Sequence, residues 1–70
     1  MAGFAVFLPR DIDDNGLRRC AEDFEAAAVS NIHPMGAGIV NIDLADDAKA
    51  SELRNKGYTI MSGRCKALVM

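Results

Sequence analysis

Residues 38–60 read GIVNIDLADDAKASELRNKGYTI, and the spacing of the apolar residues changes within this segment. Val40, Ile42 and Leu44 alternate with Asn41 and Asp43, which is the period of a strand with one buried face. The segment therefore begins with a strand that has one apolar and one polar side.

A short helix with defined ends follows this strand. Asp46 is a residue type that caps helices, and Ala50 and Leu53 supply an apolar stripe. We expect Gly57 to end the helix in a left-handed conformation, which would bring Leu53 and Tyr58 together as the hydrophobic contact of a Schellman motif. A new strand starts at Tyr58, so the segment predicts the order strand, helix, strand.

The first half of the chain predicts a strand, a helix and a brief strand. Residues 4–8 (FAVFL) are apolar on both sides, as in a strand with neighbours on both sides. A helix capped by Asp14 or Asn15 follows, with an apolar stripe of Leu17, Cys20, Ala21, Phe24, Ala27 and Ala28. The strand at 32–35 contains Pro34 and must lie at a sheet edge, because proline has no amide N–H to donate.

In chain order the elements predict one α+β domain over residues 1–70. We expect a ferredoxin-like βαββαβ fold, in which a four-stranded antiparallel sheet carries both helices on one face and the first and third strands are central. The alternative is a βαβαββ two-layer sandwich, in which the strand at 32–35 is absent and residues 59–61 pair with residues 66–69.

Size and charge narrow the function classes. A chain of 70 residues has a marginal core, so we expect a homodimer. The net charge is −2 and the basic residues are scattered, which argues against a nucleic-acid partner. The apolar start lacks the features of a signal or a membrane anchor. Two cysteines without disulfide or zinc spacing indicate a reduced, cytoplasmic chain.

These residues resemble an ACT domain, a small ferredoxin-like regulatory module that binds amino acids and other metabolites. FAVFLP resembles the first strand of that family, the Gly16-Leu17 step its entry into the first helix, and AAAVSNI its helix end. Residues 38–60 and the final CKALVM are similar to its third strand, second helix and last strand. The loop over residues 10–15 is longer and more acidic than in the family, and the second strand is shorter. The resemblance implies a ligand between the first loop and the second strand.

The start of the first helix is one part of the predicted ligand site. Backbone amides at Asn15, Gly16 and Leu17 would attract a carboxylate or phosphate, and Asn31 and His33 are expected to add side-chain hydrogen bonds. An ordinary glycine turn before a helix has the same sequence, and nearby aspartates would repel an anion.

The same loop matches the EF-hand calcium pattern at Asp11, Asp13, Asn15, Gly16 and Glu22. A strand precedes the loop where an EF-hand has a helix, and two arginines lie inside it, so the alternative is a polar strand-to-helix turn. We assign no metal and keep calcium as a lesser hypothesis.

No catalytic constellation is evident. His33 with Ser30 and Asp43 does not define a triad, because nucleophilic catalysis needs a base against the nucleophile and a third group that orients the base. Cys20 falls on the buried stripe of the first helix, and neither it nor Cys65 has the features of an activated thiol. We predict no enzyme activity and no cofactor.

The sequence therefore predicts a non-enzymatic regulatory module that binds a small, amino-acid-like metabolite as a homodimer. The second hypothesis is a small protein-interaction or inhibitor module, of the kind that viruses and mobile elements encode. It would bind a larger protein through the open face of its sheet, with Phe7, Ile39, Pro34 and Met35 at the interface.

Overall fold

The structure is a computed structural model that describes residues 2–65. Its elements are β1 (Ala2–Phe7), α1 (Asp14–Ala26), β2 (Ser30–Gly36), β3 (Ile39–Leu44), α2 (Asp47–Asn55) and β4 (Thr59–Ser62). The strands form one antiparallel sheet in the order β2-β3-β1-β4. The predicted ferredoxin-like βαββαβ fold, with β1 and β3 in the centre, is confirmed.

The alternative βαβαββ topology is wrong. The strand that it omits is present as β2, which runs from Ser30 to Gly36 and is longer than the predicted 32–35. The partner of β4 is β1, with Thr59 opposite Phe7 and Met61 opposite Ala5. Residues 66–69, which the alternative pairs with residues 59–61, lie outside the described residues, as does most of the CKALVM segment that resembles the last ACT strand.

The core lies between the sheet and the two helices. One buried cluster contains residues of every element except β2: Phe4, Val6, Cys20, Phe24, Ala27, Ile42, Leu44, Ala50, Leu53 and Ile60. Both helices therefore cover the same face of the sheet. The predicted stripe of α1 is only partly correct, since Leu17 is 47% exposed and Ala21 and Ala28 are also exposed.

The ends of α2 follow the predicted chemistry. The carboxylate of Asp46 caps the helix by accepting from the backbone N–H of Lys49 at 3.2 Å. At the other end Gly57 has a φ of 107°, and the N–H of Tyr58 donates to the Leu53 carbonyl at 3.3 Å. These are the bonds of the Schellman motif that the Leu-Gly-Tyr spacing predicts.

The ends of α1 differ from the sequence expectation. The N-cap is Asp13, not Asp14 or Asn15, and its Oδ1 accepts from the N–H of Gly16 at 2.8 Å. The helix ends at Ala26, and Ala28, the second residue beyond it, has a φ of 56°. A left-handed conformation costs a residue with a Cβ atom about 1–2 kcal/mol, so this end of α1 carries local strain.

Within residues 2–65, both edges of the sheet carry features that disfavour pairing with a further strand. On the β2 edge Pro34 has no N–H, and the β2–β3 register shifts at two places. On the β4 edge the carbonyl of Ile60 accepts two hydrogen bonds from Arg54, at 3.1 Å from Nε and 2.9 Å from Nη2. The N–H of Gly63 donates to the carbonyl of Gly3 in β1. Backbone groups alternate in direction along an antiparallel strand, so the carbonyl of Ile60 points away from β1, toward the sheet edge.

We call the side of the sheet opposite the helices the outer face. The alternation of side chains along each strand determines which residues lie on it. It carries the residues of β1, β3 and β4 that alternate with the core positions: Gly3, Ala5, Phe7, Ile39, Asn41, Asp43, Thr59 and Met61. Neither α1 nor α2 covers this face, so it is where side chains can meet a ligand or a partner.

Candidate functional site

A shallow cleft of about 450 Å³ lies on the outer face beside β2. His33 of β2 lies opposite Asn41 of β3 in the strand register, so both side chains stand on this face. The cleft is lined by Asn31, Ile32, His33, Asn41 and Arg64. It combines amide, imidazole and guanidinium groups with one apolar side chain, that of Ile32, which is 53% exposed.

Asp43 fixes two of the cleft residues. Its Oδ2 accepts from Nδ2 of Asn31 at 2.7 Å, and its Oδ1 accepts a charge-assisted hydrogen bond from Nη2 of Arg64. The Asn31 hydrogen bond, followed by the Arg64 bond, holds the pKa of Asp43 below its usual range. Asp43 is therefore ionised at neutral pH, and each of its oxygens has a partner within the chain.

Residues 63–65, which we call the crossing segment, form one wall of the cleft. The side chain of Asn41 makes two hydrogen bonds to the backbone of Cys65, both at 2.9 Å. A Cβ atom on Gly3 would lie 2.8 Å from Cγ of Arg64, so the stem of Arg64 rests directly on β1. The crossing segment thus passes from β4 over β1 to β3.

Arg64 supplies the accessible charge of the cleft. Its side chain is 58% exposed, whereas that of Asp43 is 9% exposed. A guanidinium presents a planar fork of N–H donors that matches a carboxylate. The partners of Asp43 are Asn31 and Arg64, not His33, so the residues considered for a triad are not arranged as one. The chemistry available here is recognition of an anionic group.

The predicted ligand residues lie in two places. Asn31 and His33 line the outer-face cleft, whereas Gly16 lines a separate groove of about 270 Å³ near the end of β1. Asn15 and Leu17 are exposed on the first turn of α1. The N–H of Gly16 is taken by its bond to the N-cap carboxylate. The two halves of the predicted site are therefore not adjacent.

The groove near Gly16 contains a second polar network, which ties α1 to the end of α2. Oδ2 of Asp23 accepts from the hydroxyl of Tyr58 at 2.6 Å, and its Oδ1 accepts from Nζ of Lys56 at 3.4 Å. The Tyr58 hydrogen bond lowers the pKa of Asp23, and burial raises the pKa of Tyr58. Burial also raises the pKa of Cys20, which keeps this thiol protonated. These contacts have a structural role.

Two cleft residues were not predicted from the sequence. The sequence pattern predicts Asn41 on the polar side of its strand, but a lone amide gives no sign of its partner 24 positions later. Arg64 follows a turn and belongs to no periodic pattern. The contact between Arg64 and Asp43 spans 21 positions, so only the folded chain reveals it.

The predicted interface residues lie on the outer face and the β2 edge. Phe7 and Ile39 are half-buried and pair with each other across β1 and β3. Pro34 is exposed and Met35 is half-buried in β2. The structure places these four residues around one end of the sheet.

The calcium pattern does not form an EF-hand loop. The chain is helical from Asp14 onward, which places Asn15 and Glu22 in α1, and the carboxylate of Asp13 caps that helix. Across residues 2–65 no group of three or more His, Cys, Asp and Glu side chains has the arrangement to hold a metal ion.

Comparisons with protein-family models, curated proteins and solved structures found no match to this chain. The resemblance to ACT domains therefore stays a prediction. Within the described part of the chain no helix has the length and apolar character required to cross a membrane.

Proposed function

We propose that this chain is a non-enzymatic regulatory module that binds a small, amino-acid-like metabolite through its carboxylate in the outer-face cleft. The observation that supports this proposal is the exposed guanidinium of Arg64, which lies beside Asn31 and His33. Two of the residues expected from the sequence to contact a ligand thus meet a cationic group that the sequence did not identify.

The arrangement of Arg64 favours the binding of a ligand. Its contact with Asp43 and the hydrogen bonds between Asn41 and Cys65 hold the guanidinium in place before a ligand arrives. Binding then orders few further side chains, which lowers the entropic cost of association. A carboxylate that accepts two parallel N–H bonds from Arg64 is the ligand group that fits best.

The proposal includes a homodimer, and the features at both sheet edges limit its geometry. Pro34 and Arg54 disfavour pairing of two sheets edge to edge, so two copies would associate through their outer faces. Ile32 and Met61, which are 53% and 58% exposed, would lose their contact with water in such a dimer. A ligand in the cleft would then lie at the subunit interface, and its binding would favour the dimer.

A thermal-shift screen of amino acids and other small carboxylic acids tests the proposed site. We expect a saturable rise in melting temperature for the wild type, because a ligand that binds only the folded state stabilises it by mass action. Arg64→Gln should abolish the rise and Arg64→Lys should weaken it. Arg18→Gln, on the exposed surface of α1, is the matched control and should retain it. A flat screen, or an equal response of Arg64→Gln, would contradict the proposal.

Sedimentation velocity tests the dimer. We expect Met61→Glu to shift the protein toward the monomer, because the substitution places a charge at the proposed interface. Leu17→Glu replaces another exposed apolar residue, on α1, and should leave the association unchanged. A wild-type protein that stays monomeric at high concentration with bound ligand would contradict the face-to-face dimer.

The exposed apolar side chains of the outer face also support a second candidate function, the binding of a larger protein. In that case no small carboxylate would stabilise the chain. A purified partner would form a stoichiometric complex that Met61→Glu disrupts and Leu17→Glu does not. Both candidates predict that Met61→Glu disrupts association, so the ligand screen separates them: a saturable response supports the metabolite site, and a flat screen with a stoichiometric partner complex supports the second candidate.

A further inference from the structure

We infer that the outer-face cleft selects a carboxylate without an α-amino group, such as a 2-oxo acid with a branched aliphatic side chain, over the corresponding amino acid. This inference rests on the proposed function and names the ligand class of the same site. It follows from the way in which the acidic and basic groups around the cleft are already paired.

Recognition of an amino acid requires an acidic partner for its ammonium group. Among residues 2–65, those that line the cleft include no aspartate or glutamate. The adjacent acidic group is Asp43, and Asn31 and Arg64 occupy its two oxygens while only 9% of its side chain is exposed. An ammonium group in the cleft would therefore lack a carboxylate and would lie close to the guanidinium.

The cleft offers suitable partners for each part of a 2-oxo acid. The carboxylate meets the exposed fork of Arg64, and the 2-oxo oxygen accepts a hydrogen bond from the side chain of Asn31 or His33. The aliphatic part packs on Ile32, and the removal of the exposed apolar surface of Ile32 from water stabilises the complex. A volume of about 450 Å³ lies within the range of small-molecule sites.

The direct test compares three compounds that share one branched carbon skeleton. Isothermal titration calorimetry would measure 4-methyl-2-oxopentanoate, leucine and 3-methylbutylamine against the wild-type chain. We expect the oxo acid to bind about tenfold or more tightly than leucine, because of the repulsion between like charges, and the amine not to bind. Leucine binding as tightly as the oxo acid, or more tightly, would overturn the inference while leaving the proposed function intact. Failure of both acids to bind would overturn the inference, and if the screen of carboxylic acids were also flat it would overturn the proposed function itself.

Asp43→Asn provides an independent test of the role assigned to Asp43. An asparagine at this position can still accept the hydrogen bond from Asn31, but it has no negative charge. Because Asp43 holds Arg64 in place, we expect Asp43→Asn to weaken the oxo acid and leucine by the same factor, so that their ratio of affinities is unchanged. If leucine loses affinity in Asp43→Asn by a much larger factor than the oxo acid does, then Asp43 holds the ammonium group and the inference is wrong. Melting curves verify that the variant is folded.

Discussion

The side chain of Asn41 pairs with the backbone of Cys65 as a neighbouring strand would. Its Nδ2 donates to the carbonyl oxygen and its Oδ1 accepts from the N–H, each at 2.9 Å. Asn41 is only 7% exposed, and these two bonds satisfy both polar groups of its amide within the protein. One side chain of the central strand β3 thereby fixes the crossing segment and, with it, the wall of the cleft.

Asn41→Ala should therefore destabilise the fold and release the crossing segment. The loss of two hydrogen bonds at a buried site is expected to lower the free energy of unfolding by about 1–3 kcal/mol. Urea unfolding measures the change, and the rate of thiol labelling at Cys65 should rise in parallel. Asn55→Ala, at the exposed end of α2, is the control. Unchanged stability and labelling in Asn41→Ala would show that the contact contributes nothing.

Arg54→Gln should lower stability and promote self-association through β4. The variant loses the two bonds from the guanidinium to the carbonyl of Ile60, which is expected to cost about 1 kcal/mol. It also exposes a backbone acceptor on an edge strand, which favours pairing with another chain. Chemical unfolding and light scattering check the two effects. Arg18→Gln serves as the control, and equal scattering by the two variants would contradict the role given to Arg54.

Ala28→Gly should stabilise the chain. Ala28 has a φ of 56°, a conformation that glycine adopts without a Cβ clash, so we expect a gain of about 0.5–1 kcal/mol after allowing for the greater freedom of glycine when unfolded. Ala21→Gly makes the same chemical change within α1 and should destabilise by about 0.5–1 kcal/mol. We expect the melting temperature to rise in Ala28→Gly and to fall in Ala21→Gly. A loss of stability in both variants would refute the strain at Ala28.

The lowered pKa of Asp43 predicts a contribution to stability that depends on pH. The folded-state pKa lies below the value of 3.8 for the unconstrained side chain, so the folded state favours the ionised form. The resulting stabilisation is present above that unfolded value and is lost as the pH falls through the folded-state pKa. Asp23 has a shift in the same direction and adds to the loss.

Urea unfolding between about pH 2 and pH 7 tests this prediction. Below the unfolded pKa, the free energy of unfolding of Asp43→Asn should fall less steeply with decreasing pH than that of the wild type. Asp11→Asn, in the exposed loop before α1, is the matched control. Parallel pH profiles for the wild type and Asp43→Asn would contradict the shift.

Local patterns were sufficient to predict the fold. The alternation around Val40, the cap at Asp46 and the stop at Gly57 each involve neighbours within a few positions, and each was confirmed in the structure. Pro34 was correctly placed in an edge strand, because the absence of an N–H excludes it from the centre of a sheet. The predicted N-cap of α1, Asp14 or Asn15, differs from the observed Asp13 by one or two residues, because the loop offers several consecutive capping side chains.

The site could be predicted only in part, because its contacts join distant parts of the sequence. Asn31 and His33 were identified as polar residues after a helix, but their partners on β3 and in the crossing segment have no local signal. A glycine before a helix resembles an anion site, which is why the sequence predicts a ligand at Gly16, but in the structure that N–H donates to Asp13. Charge pairing between Asp43 and Arg64 is a property of the folded sheet.

The bonds from Arg54 to Ile60 and the proline in β2 also limit the growth of any assembly. Propagation of a fibril requires an uninterrupted row of backbone donors and acceptors at each margin of the sheet. Within residues 2–65 that row is interrupted on both sides, so copies that associate should not extend edge to edge into a continuous sheet.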